Sequence, residues 1–410
     1  LKFKIVLITS GQPSLNPRMV KEADALTDAG YEVTVLYAYW NNWGTQHDKQ
    51  LLSEKKWKAI RLGGDPQQKT VIYFFSRLIH RICMFTSRKT GNYKYFADSA
   101  IARSSYFLIK GAKKHKADLY IAHNLGALPA AVKTSLKYKK PCGFDAEDFH
   151  RQEGTDDINS FQYKITKYIE DRYLPVVDYI TASSPLIAEQ YAFLYNRKVT
   201  TILNVFPKTG LPAIINKNID NSLRLFWFSQ TIGPNRGLEM IIEGMGLTKI
   251  DIELHLLGHP VNNYKQHLLK LANIAGINTS KLYFYEPIKA GEIFSLAKKF
   301  DVGLASDINL CLNRNIALTN KIFTYIQSGL AVAVNNTLAQ SALMHQYPKA
   351  GKIYNNAMGL SAILISYHEN RELLYQTKKE SFEIGQSQLN WECESEKFLQ
   401  IVNETINRDE

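Results

Sequence analysis

Short apolar runs recur along the chain, and between them apolar residues return every three or four positions. The runs KIVLIT (4–9), VTVLYA (33–38), LYIA (119–122), CGFDA (142–146), YITA (179–182) and TTIL (200–203) predict one set of strands. After a polar stretch, KTGLPAIINKNIDNS (208–222), the pattern restarts with LRLFWFS (223–229), IELHLLG (252–258), LYFYE (282–286), VGLAS (302–306) and LAVAVN (330–335). Helical spacing fills the intervals, as over 235–245, 262–275, 290–299 and 320–328. Strands without strict alternation, separated by helices, predict parallel sheets covered on both faces. The fold class is therefore α/β, with two Rossmann-like domains facing a cleft, 1–207 and 208–385. Ligands of open α/β sheets bind at the carboxyl ends of strands, so the loops that follow strands hold the candidate residues.

The chain has 410 residues, too many for one ordinary core. Its four cysteines, Cys83, Cys142, Cys311 and Cys393, are far apart and form no CxxC pair, which argues against a zinc site or a disulfide framework and suits a reducing cytosol. No apolar run reaches the roughly 20 residues of a membrane span. The opening KIVLITS reads as a strand and not as a signal peptide. A formal charge of +12 favours anionic partners. Zinc-finger, basic-zipper and Arg-Gly-aromatic signatures are lacking, so nucleic acid is not expected.

In the N-terminal half, strand 4–9 leads into SGQPSLNPR, where Gly11 has freedom for positive φ and Arg18 could meet a ligand or solvent. GxGxxG is absent, which argues against an NAD dehydrogenase. His123 ends a buried strand, a place from which it could orient a sugar hydroxyl or share a proton. GFDAEDFHRQEG crowds Asp145, Glu147, Asp148, His150 and Glu153 into nine residues. Such crowding is unfavourable unless the acids bind something or fan into solvent. No DxD pair suggests a metal. Over 71–89, helical spacing puts Arg77, His80, Arg81 and Arg88 on one face and Val71, Phe74, Phe75, Leu78, Ile79, Ile82 and Phe85 on the other, with no acid between Asp65 and Asp98. This reads either as an anionic-membrane surface element or as a core helix with a solvated basic face.

In the C-terminal half, Gly233 and Pro234 form a turn that delivers Arg236 and Gly237 to a helix start, a phosphate-binding arrangement. Gly258 would let a ligand approach, and Glu286 could frame a base. In LTNKIFTYIQSGLAVAVNN, Lys321 follows Asn320 at a helix N-terminus, where a cation is repelled unless an anion joins it.

Taken in order, NPRMVKEADALTDAGYEVTVL, AHNLGALPAA, FDAEDFH, TIGPNRGLE, LHLLG, TNKIFTYIQSGLAV and WECESEKFLQIV resemble the GT-B glycosyltransferases, specifically glycosyltransferase family 4. The resemblance spans nearly the whole chain. It implies an N-terminal acceptor domain, a C-terminal domain for a UDP- or GDP-linked sugar, no metal or cofactor, and a last helix (386–410) crossing back to the first domain. It implies a retaining transfer to a saccharide or lipid-linked acceptor, in a cytoplasmic protein that can sit peripherally at the inner membrane face. Carried over by position, Arg236 and Lys321 meet the donor diphosphate and His123 lies near the transferred sugar. Gly11, Arg18, Asp145, Glu147, Asp148 and His150 match the acceptor side, and Gln230, Gly233, Gly237, Gly258, Glu286, Asn320 and Thr324 the donor side. Two departures stand out. Ile316 and Thr324 occupy positions of two usual glutamates, and Gln230 that of a usual arginine. Glu286 or Glu292 would then hold the ribose. Alternatively the chain is a degenerate transferase-like subunit that binds a membrane or partner enzyme. A sugar-nucleotide 2-epimerase would need donor-side carboxylates for acid–base work, which the sequence does not place.

Overall fold

The computed structural model describes residues 2–210 and 222–407. The polar stretch expected to join the halves lies, for residues 211–221, outside the described residues. The chain forms two compact units. The first comprises Leu1–Ile202, Cys311–Asn313 and Ser395–Glu410, the second Leu203–Leu310 and Arg314–Glu394. The last helix, Trp391–Ile406, is thus shared, passing at Glu394/Ser395 from the second unit to the first.

The first unit holds β1 (Lys4–Thr9), β2 (Glu32–Ala38), β3 (Lys58–Leu62), β4 (Leu119–His123), β5 (Cys142–Ala146), β6 (Tyr179–Ala182) and β7 (Thr200–Thr201). All seven are parallel, in the order β3-β2-β1-β4-β5-β6-β7. The second holds β8 (Leu223–Ile232), β9 (Ile252–Pro260), β10 (Leu282–Tyr285), β11 (Val302–Ala305), β12 (Ala331–Asn335) and β13 (Gly351–Tyr354), parallel in the order β10-β9-β8-β11-β12-β13. Each sheet reverses strand order once, between β1 and β4 and between β8 and β11. The reversal opens a crevice beyond the strand ends, where α/β sheets carry ligands.

Burial on both faces explains the unbroken apolar runs. On β8, Leu225 and Trp227 join a core with Ile241, Ile242 and Met245, while Phe226 on the opposite face stacks on Phe300 at 4.7 Å. The strands without an expected counterpart, β3 and β13, are edge strands. A half-covered strand needs no continuous apolar run, so KAIRL and GKIY carry little signal.

Close packing over the sheets demands glycine at a few positions. A Cβ on Gly303 of β11 would lie 2.2 Å from the Tyr325 ring, and one on Gly143 of β5 would lie 2.1 Å from that of Tyr179. Gly303→Ala should therefore cost about 1–3 kcal/mol, as overpacked cores do. Gly291→Ala, in helix Ala290–Ala297 with open space around it, should instead stabilise by up to about 1 kcal/mol. Denaturant unfolding of both variants checks the contrast. Equal effects would show that the tyrosine ring gives way freely.

Candidate functional site

At the first strand-order reversal Thr9 pairs in register with His123, and the loops beyond them are tied together. Ser10 Oγ donates to Asn124 Oδ1 (2.6 Å), and Asn124 Nδ2 donates to Thr9 Oγ1 (2.9 Å). Asn124 takes the left-handed turn here, at φ 60°. Gly11, expected to use positive φ, does not, although the space around it is open.

Behind these loops lies a fully buried charge cluster. Arg18 is neither solvated nor turned to the surface. Its Nε and Nη2 donate to Asp145 at 2.6 and 2.8 Å, and Nη1 donates to the Ile202 carbonyl at 2.6 Å. Thr181 Oγ1 donates to the same carboxylate. His123 has no exposed surface. Its Nε2 is 3.1 Å from Glu22, and its Nδ1 is 3.4 Å from both Asp145 and Glu147. Burial pushes the His123 pKa down, but Glu22, Asp145 and Glu147 outweigh it and hold it well above the ordinary value. Burial raises the Glu22 carboxyl, and Asp145 adds to the rise. Glu22, which the sequence reading passed over, is hidden there as one of many acids on a helix; only its i+4 relation to Arg18 marks it. Glu22, His123 and Asp145 bring ligand-type atoms within 4.8 Å of one another, but Arg18 already supplies the balancing cation. Glu147 alone among these acids keeps a quarter of its side chain at the surface, and Asn16 Nδ2 donates to it at 2.6 Å.

The acids of GFDAEDFHRQEG divide: Asp145 is buried, Glu147 and Asp148 are partly covered, and Glu153 is exposed. Asp148 is half-buried and accepts from Asn313 Nδ2 (2.8 Å), a residue of the same unit. His150 is buried beside Glu153, 3.1 Å away. Burial lowers the His150 pKa, yet Glu153 and then Asp148 push it up to about 9.

At the second reversal, β8 runs into Gly233 and a turn whose positive φ values fall on Asn235 (61°) and Gly237 (74°), not on Gly233. Gly237 starts helix Leu238–Leu247, and a Cβ there would strike the Ser306 carbonyl at 2.1 Å. Ser306 Oγ donates to the Arg236 carbonyl (2.6 Å) and accepts from Trp227 Nε1 (3.0 Å), which locks the turn to the end of β11. The next residue, Asp307, gathers cations. Lys321 Nζ is 3.3 Å from both its carboxylate oxygens and 5.7 Å from the centre of the Trp227 ring, and Arg314 Nη1 is 3.8 Å away. Burial and Arg314 pull the Arg236 pKa below its ordinary value, against Asp307. An arginine nevertheless stays charged at neutral pH. Two cations thus pair with one carboxylate, and Arg236, whose Nη2 is 3.5 Å from Thr231 Oγ1, feels its field, beside helix starts at Leu238 and Asn320 that no side chain caps. Net positive charge beside uncapped helix starts is chemistry that suits an anion. Asp307 and Arg314 were missed in the sequence, where a lone Asp after a strand looks like any turn residue. Their signal was position, Asp307 in the loop following β11 and Arg314 in the short helix Leu312–Ile316 after it.

The other donor-side residues are scattered in role. Gln230 is exposed on β8 and Asn320 is exposed at its helix start. Glu286 is mostly exposed past the end of β10, 3.8 Å from His259. Gly258 serves strand packing: at φ 147° it lies beside the β8 irregularity, where a Cβ would be 2.4 Å from the Ser229 carbonyl. Thr324 is buried and donates to the Asn320 carbonyl (3.1 Å), and Ile316 is buried too. Neither replaces the absent glutamates.

No protein-family model matches the sequence, and no curated protein does. The fold is that of known GT-B glycosyltransferases. Anabaena HepE, solved with UDP, superposes with a TM-score of 0.70 at 13% identity over 98% of this chain and 100% of its own. A Rickettsia africae glycosyltransferase gives 0.68 at 11%, covering 99% of each chain. A variant of S. aureus TarM, solved with fondaparinux, α-GlcNAc-glycerol and UDP, gives 0.70 at 10% over 98% and 100%.

Removing Arg18 should leave Asp145 and Glu22 buried with one cation fewer. Arg18→Met is expected to destabilise by about 3–5 kcal/mol, read from the denaturant midpoint, and a loss under about 1 kcal/mol would mean that the carboxylates find another partner. A second expectation concerns pH. Because the folded His150 pKa is raised, its stabilisation is complete below the ordinary 6.5 and disappears as pH rises through about 9. Unfolding free energy of the wild type minus that of His150→Asn should fall across this interval. A flat difference would detach His150 from its acidic neighbours.

Proposed function

We propose that this chain transfers a sugar from a nucleotide-sugar donor to a hydroxyl of a saccharide or lipid-linked acceptor, in surface polysaccharide or glycolipid synthesis. The observation that carries the reading is the second unit's cation cluster, where Arg314 and Lys321 pair with Asp307 and Arg236 lies within its field, next to two uncapped helix N-termini. A diphosphate fits this chemistry. As the bond to the sugar breaks, the departing phosphate gains charge, and fixed cations stabilise it without rearrangement. Lys321 exchanges part of its interaction with Asp307 for the phosphate. UDP in the HepE and TarM complexes supports a uridine donor over a guanosine one.

Glu286 is the carboxylate assigned to the ribose, since it lies at a strand's carboxyl end with its side chain largely in solvent. Transfer is taken to proceed with retention, the leaving phosphate oxygen receiving the acceptor hydroxyl's proton. In the first unit Glu147 is the group assigned to the acceptor. His123 and Asn16 hold its carboxylate from within, so His123 acts as a positioning residue.

Thermal unfolding with UDP, GDP, ADP, CMP and their common sugar conjugates tests the donor site. A ligand at 100 times its Kd should add about 2.7 kcal/mol of stability. UDP or a UDP-sugar is expected to stabilise the wild type, with most of the shift lost in Lys321→Ala and Arg314→Ala. If no nucleotide stabilises the wild type, the missing glutamates mean lost donor binding, and the chain is a transferase-like subunit.

A further inference from the structure

The helix Thr70–Thr90 reverses the ordinary arrangement of a surface helix. Its polar and small residues face the protein: Ser76 is 2% exposed, Ser87 is fully buried, and Tyr73, Arg77 and His80 are partly covered. Arg77 stacks on Tyr73 at 4.5 Å within this layer. The opposite face is apolar and open, with Val71 80%, Phe74 67% and Phe85 65% exposed, and Phe75, Leu78 and Ile82 each more than half exposed. The sequence left open whether this face meets the core or a membrane. The core is excluded, because the core-facing side is the polar one. Six large apolar side chains in one row exceed the scattered exposure usual for soluble proteins.

Charge identifies what covers the row. Between Asp65 and Asp98 the chain carries Lys69, Arg77, Arg81, Arg88, Lys89 and Lys94 and no acid. At about 100° per residue, Arg81 and Arg88 border the apolar row and Lys89 continues it; all three are exposed. A second copy of this face would bring cations against cations, whereas an anionic lipid surface satisfies both the apolar row and its basic border. Trp40 and Trp43, each about half exposed, follow Tyr39, whose ring meets Tyr73 at 5.6 Å. Tryptophan is the residue favoured at the level of lipid headgroups. We propose that the helix Thr70–Thr90 lies in the surface of an anionic bilayer, with Phe74, Phe75, Leu78, Ile82 and Phe85 inserted among the acyl chains and Arg81, Arg88 and Lys89 on the headgroups. This places the chain at a membrane independently of its donor, and among acceptors it favours the lipid-linked class.

The test is co-sedimentation of the full chain with vesicles of phosphatidylcholine alone or with about half phosphatidylglycerol, beside size-exclusion chromatography. The wild type is expected to bind the anionic vesicles at least about tenfold more tightly than the neutral ones and to lose much of that preference in high salt. Phe74→Ser with Phe85→Ser should lower binding by about tenfold or more with an unchanged thermal midpoint, because both side chains already face water. Arg81→Glu with Arg88→Glu should remove the lipid preference. Absence of wild-type binding, or binding that the phenylalanine pair does not alter, overturns the proposal. So does a wild-type dimer that the phenylalanine substitutions convert to monomer, which would assign the face to a second copy. Nucleotide binding is read separately, so either proposal can fail without the other.

Discussion

The two hydrogen bonds from Arg18 to Asp145 are the constraint around which the first unit is arranged. They join the helix Pro17–Asp28 to the end of β5, and the third hydrogen bond of the same guanidinium reaches the carbonyl after β7. A carboxylate without water is tolerated only with a full set of donors, and Arg18 with Thr181 supplies it. Once Asp145 is fixed, His123 must lie against it, and Glu22 must lie beyond the ring. The cluster fills the space directly behind the strand ends. The strand ends are consequently backed by a group of paired charges, of which Glu147 reaches the surface.

The second unit solves the equivalent position in the opposite sense. Its strand-order reversal is closed by Ser306, which binds the Arg236 turn and the Trp227 indole. Charge there is left unbalanced: Asp307 is outnumbered by Lys321, Arg314 and Arg236. Like charges held near one another in partial burial are unfavourable in isolation, and the same excess becomes favourable when an anion enters. Two sheets of one topology therefore carry sites of different character. One is preorganised by internal neutralisation and the other by a deficit of negative charge.

Much of the fold was legible because buried parallel strands leave unbroken apolar runs. KIVLIT, CGFDA and YITA match β1, β5 and β6 residue for residue. Edge strands such as KAIRL left little trace because half their surface needs no apolar residue. The candidate site was less legible. Lys321 and Arg236 announced themselves by sitting at helix starts, but Asp307 and Arg314 acquire meaning only when β8 and β11 bring separate segments together. Glu22 likewise depends on a contact 101 positions away in sequence, with His123. Periodicity carries no information about such pairs. It also leaves acids unassigned: a linear reading lets Asp145 bind a partner or face solvent, and only the structure shows it inside.

Helix Thr70–Thr90 shows why a period does not fix a direction. Helical spacing separates an apolar stripe from a basic one, and the usual inference sends the apolar stripe inward, because burying it is the main source of stability. Here the inward stripe is Tyr73, Ser76, His80 and Ser87, small or hydrogen-bonding groups that let the helix lie close to its neighbours. The outward phenylalanines then gain nothing from folding in water. Such a row contributes to stability only where a further surface covers it. The basic border makes a negatively charged surface the complementary one. The cation excess near Lys321 and the basic border at Arg81 and Arg88 have this in common: each is a local surplus of positive charge, and a surplus of that kind is relieved by an anion.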